Sequence, residues 1–85
     1  MSLVMKLWRD DKREKGYSVW RLGRKGNPAG KFPEDSVLKR LFRRECGAGR
    51  LSVLERYDTC LLLEMPVGIR QQARERFLKS VERAA

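Results

Sequence analysis

Nine of the first 31 residues are basic: Lys6, Arg9, Lys12, Arg13, Lys15, Arg21, Arg24, Lys25 and Lys31. Only Asp10, Asp11 and Glu14 oppose them, so this stretch carries +6 of the formal +9. Trp8, Tyr17 and Trp20 are interleaved with those charges. Lysine and arginine neutralise phosphates, and aromatic rings stack on bases. The chemistry on offer is recognition of a polyanion, RNA or DNA, rather than bond making. Arg40, Arg43 and Arg44 add a second basic group at helical spacing, able to track a phosphate backbone.

Catalytic chemistry finds little support. The chain has no histidine, which removes the commonest general base and metal ligand. Cys46 and Cys60 are the only cysteines, with no CxxC spacing between them. Cys46 falls at a helix end, where the dipole disfavours a thiolate, and Cys60 falls in an apolar run. Both read as small core residues of a reduced, cytoplasmic protein. Glu34 and Asp35 fit the first turn of a helix better than an acid–base pair. The segment from Gly23 to Gly30 is rich in glycine but lacks the GK[ST] ending of a P-loop. Its backbone could still grip a phosphate beside Arg24, Lys25 and Lys31. The expectation is a non-enzyme without cofactor or metal.

The elements that would position these side chains follow from periodicity. Leu3–Arg9 alternates and predicts a strand; Asp10 to Gly16 is a charged connector; Tyr17–Leu22 is rich in β-formers and predicts a second strand. Glycine and proline punctuate 23–31, a loop. Pro33, Glu34 and Asp35 open a helix, in which Val37, Leu38, Leu41 and Phe42 form one apolar stripe and Lys39, Arg40, Arg43 and Arg44 the polar side. Gly47 and Gly49 end it. Arg50–Arg56 alternates as a third strand, and Cys60–Met65 is the continuous apolar run of a central strand. Ile69, Ala73, Phe77 and Val81 set the apolar face of a closing helix.

The order β-β-α-β-β-α predicts one α+β domain, with two helices on one face of a four-stranded antiparallel sheet. Its strands run first, second, fourth, third. This is the ferredoxin-like sheet of an RNA recognition module with its usual last strand moved to the front. The expected core set is Leu3, Met5, Leu7, Trp20, Leu22, Leu51, Val53, Leu61, Leu63 and Met65. The open face would then show Lys6, Trp8, Tyr17, Val19, Arg21, Leu54, Arg56, Cys60 and Leu62; a one-residue slip would exchange the two sets.

From Tyr17 onward the chain resembles the RRM-like C-terminal RNA-binding domain of bacterial DEAD-box RNA helicases. The resemblance rests on Tyr17–Leu22 followed by Gly23–Arg24–Lys25 and a helix. It continues through Ala48–Gly49–Arg50–Leu51–Ser52–Val53, Tyr57–Asp58–Thr59 and the Leu61–Pro66 strand. It implies binding of structured RNA through a basic loop and sheet face. The leading expectation is thus a non-catalytic nucleic-acid-binding domain, RNA before DNA. Phosphate contacts would come from Lys6, Lys12, Arg13, Lys15, Arg21, Arg24, Lys25, Lys31, Arg40, Arg43 and Arg44, and stacking from Trp8 and Tyr17. The alternative is a protein-interaction or homodimerisation module that uses Val4, Trp8, Val19, Leu54 and Leu62 on the same open face. A small nucleic-acid-processing enzyme comes third. No apolar run approaches the ~20 residues of a membrane span, so no membrane partner is expected.

Overall fold

Alternating apolar side chains at 5, 7, 20 and 22 need a partner layer, and the two amphipathic helices supply it. In the computed structural model, which describes residues 4–11, 16–25, 32–47 and 49–85, the order is β1 (Val4–Asp11), β2 (Tyr17–Lys25), α1 (Asp35–Cys46), β3 (Ser52–Arg56), β4 (Cys60–Pro66) and α2 (Gln71–Ala84). The sheet runs β1-β2-β4-β3 with every neighbouring pair antiparallel, the expected ferredoxin-like arrangement. Strands β2 and β3 therefore run the same way with β4 between them, and α1 makes the crossover. No helix among the described residues is long and apolar enough to cross a membrane.

One face of the sheet is sealed by both helices. Met5, Leu22, Leu61, Leu63 and Met65 form a single cluster with Leu38, Leu41, Phe42, Phe77 and Val81, all nearly inaccessible. Phe42 of α1 and Phe77 of α2 meet edge to face, ring centroids 5.6 Å apart, and lock the helix pair over the sheet. Leu7, Trp20 and Val53 pack against this cluster from its margin. Trp20 is half-buried rather than central, with the Arg74 guanidinium 4.6 Å from its ring centre. Leu3 lies outside the described residues.

Three features depart from the pattern the sequence predicts. Strand β3 carries a bulge between Val53 and Glu55, so Glu55 pairs with Leu62 and Arg56 with Leu61. The extra residue turns Arg56 off the open face, where alternation put it, onto the helix side. There it donates to Asp35 Oδ1 (2.7 and 2.9 Å) and to the Pro33 carbonyl, tying β3 to the start of α1. Val19 does lie on the open face, but flanked by Tyr17, Arg21 and Glu64 it is only 1% exposed. Strand β2 continues to Lys25, so Arg24 and Lys25 lie on a strand opposite Met5 and Val4 rather than in a loop.

One donor on the outer edge of β1 is met from the helix layer. The Met5 amide donates to Glu82 Oε2 of α2 at 2.8 Å, satisfying a backbone donor at the outer edge of the sheet.

Candidate nucleic-acid interface

The open face of the sheet is where an RNA recognition module would stack bases, and its centre is a close approach between Trp8 and Gly23. A Cβ at Gly23 would stand 2.9 Å from Trp8 Cη2 and 3.1 Å from Cζ3, so the absence of a side chain lets the indole reach across β2. Trp8 remains 43% exposed, enough ring for a base or a partner side chain to cover. Lys6 stands beside it in the register, opposite Gly23, and is exposed. Tyr17 is half-buried at the other end of β2, opposite Pro66.

Arg21, opposite Trp8, already has two partners. Its guanidinium donates to Cys60 Sγ at 3.2 Å and to Asp10 Oδ1 at 3.4 Å. The hydrogen bond to Cys60, then the charge of Asp10, raise its pKa above the ordinary arginine value. Glu64 pairs with Val19 and Glu55 with Leu62, which adds two carboxylates to the same face. Among the described side chains the open face thus holds Lys6 and Arg21 against Asp10, Glu55 and Glu64. It is close to neutral, with a slight negative bias. Glu55 also accepts a hydrogen bond from the Tyr57 hydroxyl, whose pKa that contact raises.

The remaining predicted residues divide into two groups. Lys12, Arg13, Lys15 and Lys31 lie outside the described residues, and of Arg24 and Lys25 only the strand position is described. Arg40, Arg43 and Arg44 are all exposed on α1, but they differ in partners. Arg44 donates to Ser80 Oγ of α2 at 3.2 Å and sits 3.8 Å from Glu45 Oε1, so it braces the helix pair. Arg40 and Arg43 have neither an ion pair nor a side-chain hydrogen bond among the described residues.

A cationic cleft that the pattern of the chain did not single out lies between α1 and the start of β3. Lys39, Arg43, Arg50 and Ser52 line it with Gly49, and Phe42 and Leu51 form its apolar floor; its volume is about 290 Å³. Lys39 and Arg43 are four residues apart and share one side of the helix. Gly47 (φ 75°) and Gly49 (φ 93°) have left-handed backbone between α1 and Arg50, and Arg50 lines the same hollow. The glycine at 49 also permits close packing: a Cβ there would lie 2.5 Å from Pro66 Cγ. The sequence signal was present in Lys39–Arg43 spacing followed by two closely spaced glycines and an arginine. It lacked only the knowledge that the turn folds inward. A smaller hollow of about 170 Å³ beside Trp20 has its cation already engaged, since Arg74 faces the ring and donates to the Ile69 carbonyl.

Fold and surface together define a small ferredoxin-like α+β domain whose described side chains leave the open sheet face near neutral and line a basic cleft between α1 and β3. Comparison with protein-family models, curated proteins and solved structures finds no match.

Proposed function

We propose that this chain is a non-catalytic nucleic-acid-binding domain with a preference for single-stranded or structured RNA. The observation that carries the reading is unpaired charge: of the described cations only Arg21, Arg44 and Arg56 form ion pairs, in a chain of formal charge +9. Lys39, Arg40, Arg43 and Arg50 face solvent without carboxylate partners among the described residues. Unpaired surface cations repel one another, and a polyanion relieves that repulsion while releasing its counterions. Trp8 supplies an exposed ring for base stacking, which favours unpaired nucleotides over a duplex.

Titration of intrinsic tryptophan fluorescence with a short oligoribonucleotide tests this. Log affinity falls linearly with log salt, with a slope set by several phosphates. Trp8→Ala weakens single strands more than duplexes, whereas Arg40→Gln weakens both alike. No binding at low salt would end the reading.

A homodimer through the open sheet face is the second reading, favoured by the exposed Trp8 and the near-balanced charge around it. Light scattering decides between them: a dimer that persists at high salt, with Trp8 shielded from a soluble quencher, supports the homodimer.

A further inference from the structure

We infer that the α1–β3 cleft is a seat for a single phosphate group, separate from the open sheet face. Three cations from two elements line one hollow: Lys39 and Arg43 from α1, and Arg50 from the segment entering β3. None has an ion-pair or hydrogen-bond partner among the described residues. Solvated surface cations ordinarily splay apart; these line one hollow, with Arg50 following two glycines of positive φ. The floor beneath them is apolar and closed, with Phe42 1% and Leu51 3% exposed, so an ion in the cleft meets little competing solvent from below.

The chemistry selects phosphate over carboxylate. Two guanidinium forks and one ammonium offer more donors than one carboxylate can accept, and they suit an oxyanion with several oxygens and up to two negative charges. The volume of about 290 Å³ lies at the lower end for small-molecule pockets, which fits one phosphate and its water better than a whole nucleotide. The phosphate could belong to a nucleic-acid strand or to a free phosphorylated molecule. The seat stands on its own geometry and extends the nucleic-acid reading by fixing where one backbone group is held.

The test is an amide chemical-shift titration of the intact chain with inorganic phosphate, with sodium chloride at matched ionic strength, with a short oligoribonucleotide and with polyglutamate. Phosphate is expected to give saturable shifts at Arg43, Gly49 and Ser52 that chloride does not reproduce. Arg43→Gln and Arg50→Gln each weaken that binding roughly tenfold. Both side chains are exposed, and unchanged spectra elsewhere show that the variants fold. Lys6→Gln leaves the phosphate shifts as they are. If the oligoribonucleotide shifts the same amides more tightly than phosphate does, the natural donor is a strand; if phosphate is the tighter, it is a small phosphorylated molecule. Shifts that chloride reproduces, that fail to saturate, or that polyglutamate matches would overturn the seat. Oligoribonucleotide binding with no saturable phosphate shift at the cleft amides would overturn the seat and leave the nucleic-acid reading standing. Saturable phosphate binding with no RNA affinity would do the reverse.

Discussion

Arg21 on the open sheet face and Arg43 in the α1–β3 cleft carry the same charge in the same basic protein, yet they are in different chemical situations. Arg21 is engaged by Cys60 and Asp10. Arg43 shares its hollow with Lys39 and Arg50 and with no described carboxylate partner. Among the described side chains, the sheet face offers an aromatic ring in near-neutral surroundings; the cleft offers cations without an aromatic ring at the surface. A net charge says how strongly a chain is drawn to polyanions, but pairing decides where the ligand lands. On this molecule the exposed indole of Trp8 and the unpaired cations of the cleft lie apart, the first on the open face near Gly23, the second between α1 and the start of β3.

Substitution at the two glycines is the strongest way to break the separation. Gly49→Ala must accept a positive φ and a contact near Pro66, so it destabilises the fold by about 3 kcal/mol and disorders the cleft; the urea midpoint reads this. Gly23→Ala crowds the Trp8 ring, with the Thr59 carbonyl at an ordinary 3.8 Å, and costs about 1 kcal/mol. It shifts tryptophan emission and weakens single-strand binding while phosphate binding in the cleft is unchanged. If both substitutions lower both activities equally, the two regions are one site.

Lys39→Glu separates binding from stability. It removes a cation from the cleft and places a carboxylate one turn before Arg43, a favourable order for an i, i+4 pair. The expected stability gain is about 0.3 kcal/mol by thermal unfolding, with RNA affinity falling. A loss of both would mean that Lys39 is structural.

The smallest effect is a pH dependence on neither binding region. Burial, opposed by Arg76 and Arg74, raises the Cys46 thiol above its ordinary value of 9.0. Folded Cys46 therefore stays protonated where the unfolded chain has begun to ionise. Its contribution is fully present below about pH 9 and is lost as pH rises through the folded value. The urea midpoint should drop less between neutral and alkaline pH in Cys46→Ala than in the parent chain.

Much of the architecture was legible because each element carries its own period. The 2-residue alternation of β1, the helical stripe Val37–Leu38–Leu41–Phe42 and the apolar run of β4 each point to one element type and one buried side. The sheet order followed from short connections and a single crossover. What alternation could not show was the bulge at Leu54, because a bulge is a property of two paired strands and leaves no mark on one. That single residue carried Arg56 from the open face to the helix layer. The cleft escaped for a related reason: it depends on a turn that folds Arg50 against α1, a contact between residues that no period links. Arg21 was legible as a cation on the right face, but its engagement by Cys60, 39 positions away, was not.

The hydrogen bond from Met5 to Glu82 joins the first strand to the end of the last helix across 77 positions. It brings the place where the chain could be closed close to the place where it begins its sheet. Joining the end of α2 to β1 through a short linker and opening the chain between β1 and β2 would give the order β-α-β-β-α-β. That is the usual connectivity of a ferredoxin-like domain, with every strand still beside the same neighbours. The layout of layers here is thus independent of the path by which the backbone visits them, and circular permutation would change the route without changing the building.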